Sequence, residues 1–256
     1  MSAATQGSTL RVDGLVKRFG GLLVTDHFRL EVRPGELHAI IGPNGAGKTT
    51  LINQLSGELA PHAGSIQLDG QELVGTSVQR RARMGIARSY QITSVFHEFT
   101  ALQNVMLAVQ GASGHNFAFW KPVLQDTDLV DPAQALLLQV GLGGQAGTRV
   151  SAMAHGARRQ LELAMTLALR PRVMLLDEPM AGMSQKESED MVRLLHTLKG
   201  RYGIVLVEHD MDAVFALADR ITVMVYGKPI ACGTADEIKN DPEVRRAYLG
   251  DQVEAV

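Results

Sequence analysis

The chain has 256 residues, 45% hydrophobic and 20% charged, with a formal net charge of −2. These values are ordinary for a globular protein and fit one large domain, or one domain with a subdomain. The near-neutral balance gives no basic stripe for nucleic acid, and the single Cys232 excludes an intrachain disulfide or a cysteine-rich zinc site.

Residues Met1–Gly7 carry neither a basic head nor an apolar run, so no signal peptide is expected. No stretch approaches the ~18–20 apolar residues needed to span a bilayer. The chain is expected to be soluble, held at a membrane only by other chains. Runs over Leu10–Val16 and His27–Val32 read as antiparallel or peripheral strands.

Leu37–Ile41 reads as a short buried strand entering Gly42-Pro43-Asn44-Gly45-Ala46-Gly47-Lys48-Thr49, which fits G-x-x-x-x-G-K-[ST]. Leu51, Ile52, Leu55 and Leu59 follow at helical spacing, with Gly57 and Pro61 closing the helix. Strand, glycine loop and helix N-terminus make an anion site, because backbone N–H groups and the helix dipole both favour negative charge. Lys48 is expected to reach the β- and γ-phosphates of a nucleoside triphosphate, and the Thr49 hydroxyl to hold Mg²⁺. Thr50 continues the phosphate-binding turn.

Arg88-Ser89-Tyr90-Gln91 offers a neutral amide, Gln91, able to ligate Mg²⁺ or an attacking water and to report on either. From about Gln91 to Ala164 strand-like runs vanish. Helical patterns appear around Thr100–Val109, Pro132–Val140 and Gly156–Leu169, separated by glycine-bearing loops. This segment reads as a helical insert in an α/β core, with Phe117, Phe119 and Trp120 as a small local hydrophobic cluster.

Val173–Asp177 is an apolar strand ending in Asp177-Glu178. A buried strand that stops at Asp puts it at the sheet's carboxyl edge, where it can hold the Mg²⁺ shell. Glu178 then projects toward the γ-phosphate, to position or deprotonate water. Gly203–Val207 is a second such strand, followed by His209, whose imidazole can contact the γ-phosphate. Ser184-Gln185-Lys186-Glu187 is a capping box opening a helix with Met191, Leu194, Leu195 and Leu198. Ile221–Val225 and Pro229–Ala231 read as antiparallel or peripheral strands, with Cys232 a small core filler at a strand end. The fold class is therefore α/β with a mainly parallel sheet, an N-terminal antiparallel β portion and an inserted helical subdomain. The expected division is 1–91 and 165–256 as core and 92–164 as insert.

The ordered set of phosphate loop, Gln91, Met153–Ala157, Leu-Leu-Asp177-Glu178-Pro179 and His209 resembles an ABC-type P-loop ATPase over nearly the whole chain. Arg18-Phe19-Gly20-Gly21-Leu22, Asp177–Met183, Glu208-His209-Asp210-Met211 and Arg246–Gly250 resemble the ATPase subunits of branched-chain amino acid importers. The resemblance implies that Phe19 stacks on adenine and that the nucleotide is ATP. It also implies that Ala154, His155 and Gly156 stand in the segment, L-S-G-G-Q in the family, that closes a partner's phosphate loop. Here the family's serine is Ala154 and its glutamine Ala157, while Gly156 is retained. Ser184 likewise replaces the usual Asp.

The implied partners are a second, different ABC ATPase chain, two membrane permeases and, indirectly, a periplasmic binding protein, on the cytoplasmic face of the inner membrane. No nucleic acid is expected. Urea or amide import, lipopolysaccharide export, or a soluble ABC ATPase clamping nucleic acid are the alternative readings.

Overall fold

The computed structural model describes residues 9–89, 95–113 and 126–253. Gln91, Phe117, Phe119 and Trp120 lie outside them. Two sheets organise the described residues. The first is antiparallel and four-stranded, in the order β2(Leu22–Val32), β1(Leu10–Phe19), β4(Ala63–Leu68), β5(Gln71–Glu72). Alternation of buried and exposed residues over Leu10–Asp13 of β1 marks a sheet with one face on the core.

The second sheet has six strands, in the order β10(Lys228–Gly233), β9(Arg220–Val225), β3(Leu37–Ile41), β8(Gly203–Val207), β7(Val173–Asp177), β6(Ile86–Arg88). From β9 to β6 every pairing is parallel; only β10 is antiparallel. All five residues of β3, β7 and β8 are buried, as continuous apolar runs in a covered parallel sheet require. The expected antiparallel pairing holds for β9 with β10, while β9 also lies inside the sheet, parallel to β3. Its parallel partner β3 is about 180 residues away in sequence, so nothing local marks that pairing.

Helices cover both faces: α1(Lys48–Ser56) and α2(Val78–Met84) early, then α3(Ala101–Ser113), α4(Thr127–Gln139) and α5(His155–Ala168). Then come α6(Gln185–Leu198), α7(Met211–Leu217), α8(Ala235–Asn240) and α9(Pro242–Val253). Among the described residues of 95–164, secondary structure is helical, with 3-10 turns at Gly143–Gln145 and Val150–Ala152. One buried cluster joins Val105, Leu137 and Leu161 of that segment to Met174, Leu176 and Leu206 of the central strands. At roughly 1.5–3 kcal/mol per fully buried aliphatic side chain, this packing fixes the segment's inner face on the sheet.

Candidate active site

Three strands deliver the site to one edge. β3 runs directly into the phosphate loop, β7 ends at Asp177, and β8, between them in the sheet, ends before Glu208. Sheet order therefore assembles residues separated by more than a hundred positions.

The loop closes around its glycines. Gly42 has φ 156°, and a Cβ there would stand 2.0 Å from the Met224 carbonyl oxygen. Gly47 has φ 104° and would collide with Val24 O at 2.5 Å. Neither position accepts a side chain. Ala46 is buried, and its carbonyl accepts from Gly227 N at 2.9 Å, tying the loop to the β9–β10 turn. Asn44 and Gly45 are exposed at the tip, and Pro43 O accepts from Ala46 N at 3.2 Å. Lys48 opens α1 with its ammonium donating to Gly42 O at 2.7 Å and Pro43 O at 3.0 Å. Burial pulls its pKa below the usual lysine value, against the opposing pull of Glu178 and Asp177. Thr49 presents its side chain at the surface of the same turn, with Thr50 beside it partly buried.

Asp177 is 2% exposed. Its Oδ2 lies 3.2 Å from Arg88 Nη2, while Oδ1 has no hydrogen-bond partner among the described residues. Burial raises its pKa and outweighs the Arg88 charge. The reason is that the guanidinium is divided: Arg88 Nη1 also donates to Asn53 Oδ1 at 2.5 Å and to Glu58 Oε2 at 2.8 Å. A buried carboxylate oxygen left unbonded, on a strand packed against α1, is the donor a small hard cation needs. Among the described residues no group of three or more His, Cys, Asp or Glu forms a cage. That fits Mg²⁺, which is held by one or two protein oxygens and substrate phosphates.

Glu178 carries φ 50°, a left-handed conformation costing a non-glycine residue about 1–3 kcal/mol. Two bonds fix it there: its N–H donates to Val207 O at 2.8 Å, and its Oε1 meets His209 Nε2 at 2.8 Å. The acid and the histidine expected separately at the γ-phosphate thus form a pair. Glu208, not assigned a role from sequence, underpins both. It is buried, accepts from Met180 N at 2.8 Å and His209 N at 3.0 Å, and burial raises its pKa. An acid beginning the segment after a buried strand was the available signal.

Phe19 ends β1 with its ring half exposed and Lys17 Nζ 5.5 Å from the ring centroid. The Met153–Ala157 segment lies elsewhere, at the start of α5. Ala154 is the N-cap and supplies no side-chain bond, and His155 Nε2 meets Ala181 O at 3.2 Å. Gly156 N donates to Glu187 Oε1 at 3.0 Å. The capping box at Ser184–Glu187 is present, so this one carboxylate serves two helix ends. Gln91 lies outside the described residues.

The profile of the family described as "ABC transporter" matches residues 25–181. The chain belongs to the ABC transporter ATP-binding family. It is an ATPase of that family. A second profile, "Branched-chain amino acid ATP-binding cassette transporter", matches residues 228–254. The chain is 40% identical over 249 residues to the high-affinity branched-chain amino acid transport ATP-binding protein LivG of Escherichia coli K12, covering 94% of this chain and 98% of that one. It is 38% identical to BraF of Pseudomonas aeruginosa over the same shares. Lipopolysaccharide export protein LptB of Acidithiobacillus ferridurans is 31% identical over 95% of this chain and 97% of its own. An ATP-binding cassette of an ABC transporter solved in its ADP conformation superposes with TM-score 0.83 at 26% identity, covering 95% of this ABC ATPase and 99% of that chain. Among the described residues no helix of this ABC ATPase is long and apolar enough to cross a membrane.

Proposed function

We propose that this ABC ATPase is the motor subunit of an importer for branched-chain or related amino acids. The observation that carries the reading is the match at residues 228–254 to the branched-chain cassette model, which falls outside the general ATPase segment. The identity to LivG and BraF, higher than to LptB, supports it.

Gly42–Thr50 cradles the phosphates, Lys48 turns from the loop carbonyls to the β- and γ-phosphates, and Phe19 stacks on adenine. Thr49 and Asp177, with Gln91, are the residues that would hold Mg²⁺. Bound there, the ion supplies charge neutralisation of the phosphate oxygens. Glu178 orients the attacking water and accepts its proton, and its bond to His209 keeps that carboxylate in place. Ala154, His155 and Gly156 face the nucleotide of a second ATPase chain in the closed dimer. Residues 92–164 carry the motion to two membrane permeases, on the cytoplasmic face of the membrane.

Reconstitution with two membrane permeases, a second ATPase chain and a binding protein tests the reading. Uptake of leucine, isoleucine or valine that requires ATP and Lys48 is expected. Transport of urea but not of these amino acids would overturn it.

A further inference from the structure

The amino edge of the six-stranded sheet, opposite the phosphate loop, holds a second cluster of reactive groups. His38, at the start of β3, is fully buried. Its Nε2 meets Thr222 Oγ1 at 2.7 Å, and its Nδ1 faces Glu36 Oε1 at 3.5 Å. Neither Nδ1 nor that oxygen has a hydrogen-bond partner among the described residues. The rest of the pair is held, with Glu36 Oε2 accepting from Arg33 N at 2.6 Å, so the two unbonded atoms are a local gap in a buried charged cluster.

Cys232 sits above this pair on β10, opposite Thr222 in the β9–β10 register. It is exposed, not the core filler its sequence context suggests. Pro229, Ile230 and Cys232 line a pocket of about 470 Å³ between β1–β2 and β9–β10, so the antiparallel edge leaves the thiol facing solvent. Arg220 Nη2 donates to Cys232 Sγ at 3.3 Å, while its Nη1 lies 3.5 Å from Glu36 Oε1. Arg11 and Asp13 of β1 and Arg29 and Glu31 of β2 form the opposite wall, with Arg29 and Asp13 paired at 2.9 Å. Both signs of charge therefore ring an accessible sulfur.

We propose that Cys232 is a nucleophilic thiol site that forms a mixed disulfide with small zwitterionic disulfides of the glutathione class. The pocket's arginines receive carboxylates of the disulfide and its acids an ammonium group. The Cys232 thiolate attacks one sulfur of the disulfide. A new S–S bond forms as the old one breaks, and the leaving thiolate takes up a proton. Cys232 is oxidised to the mixed disulfide and the released glutathione sulfur is reduced. Where Cys232 starts as a thiol, its proton is lost to solvent before the attack.

The His38 bond, against the opposing effect of burial and with help from Thr222 and Arg220, pushes the thiol pKa down to about 7. Burial pulls His38 down, and Cys232 and Glu36 together lift it above its usual value. β10 also packs on α8 and α9; on α8 the Glu237 carboxylate is taken up by Thr234 at the helix cap. Against an ordinary thiol, the larger thiolate fraction at pH 7 exceeds the loss of intrinsic nucleophilicity, for a net gain of about fourfold.

The test is the rate of adduct formation on the full chain, read by intact mass at pH 6 to 9. Glutathione disulfide is compared with uncharged hydroxyethyl disulfide, and an unstructured peptide carrying one cysteine sets the reference. The single cysteine makes the adduct's position unambiguous. Expected are one adduct, none on Cys232→Ser, an acid-shifted rate profile, and a roughly tenfold preference for glutathione disulfide beyond the peptide's own. Arg11→Gln with Arg29→Gln, both on the surface, should lose that preference while keeping the hydroxyethyl rate. His38→Gln, checked for folding by circular dichroism, should move the profile to higher pH. A wild-type profile and preference equal to those of the peptide would overturn the proposal.

Discussion

At the phosphate loop, glycines without room for a Cβ, an ammonium held by loop carbonyls and a buried Asp177 oxygen without a bond among the described residues all converge on one edge. At the N-terminus of α5, by contrast, two groups of the segment are already engaged within the chain. Gly156 N–H goes to Glu187, and His155 is engaged with Ala181 O. The difference follows from one substitution. A serine at position 154 could cap α5 itself, whereas Ala154 cannot, which leaves an orphan N–H that the neighbouring helix's carboxylate fills. The first region is open to phosphate, and in the second the Gly156 donor is already taken by Glu187.

The sharpest way to break the comparison is at the open edge. Glu178→Gln should lower ATP turnover by about 10²–10⁴-fold while nucleotide binding survives, read by phosphate release and by titration with a fluorescent nucleotide. Retained turnover would remove Glu178 from the chemistry and leave its strained backbone without a catalytic explanation.

Next comes the closed region. Ala154→Ser restores a hydroxyl able to bond a charged phosphate, worth about 1.5–3 kcal/mol, or roughly ten- to a hundredfold. In the assembled complex, with the other composite site silenced through its loop lysine, turnover at the site closed by Ala154 should rise by that order. No change would mean that the partner's nucleotide does not meet this segment.

The open edge also carries a stability signature. Burial raises the Asp177 pKa, so the folded chain holds that proton more tightly than the unfolded chain. Its contribution favours folding below the ordinary carboxyl pKa and is lost as pH rises through the higher folded value. Asp177→Asn should therefore raise the thermal midpoint of the nucleotide-free chain at pH 7 and flatten its dependence between pH 4 and 7. The same variant should lose the Mg²⁺-dependent part of nucleotide affinity. Calorimetry across pH checks the first part, and titration with and without Mg²⁺ the second. A lower midpoint at pH 7 would mean that the Arg88 pair outweighs the desolvation of Asp177.

Strands β3, β7 and β8 were legible because a strand covered on both faces reads as an unbroken apolar run. β4 was not, since four of its six residues are only partly buried or exposed, and β6 has just three residues. The site was legible where chemistry sits at strand ends: the loop, Asp177, Glu178 and His209. The Glu178–His209 bond, the clamp by Glu208 and the bond from Gly156 to Glu187 were not, because each spans 28 to 31 residues and depends on how elements dock. Cys232 was misread for a related reason. An antiparallel edge strand looks locally like an interior one, and only the sheet order exposes its sulfur.

The smallest expected effect tests whether the closed region is closed by charge. Glu187 accepts from Ser184 N, Ser184 Oγ and Gly156 N, and these bonds hold its carboxyl below the usual range. An anion at the head of α5 repels any phosphate that a partner would bring there. Glu187→Gln keeps an oxygen to accept from Gly156 while removing the charge. ATP-driven association of the catalytically silent Glu178→Gln complex should tighten by about two- to fivefold, the worth of one charge at a helix N-terminus. Raising the salt concentration should shrink that gain, because the repulsion it removes is screened. Association that is unchanged at low salt would show that Glu187 is only a cap, and that the weakness of this segment lies wholly in the missing side chains at 154 and 157.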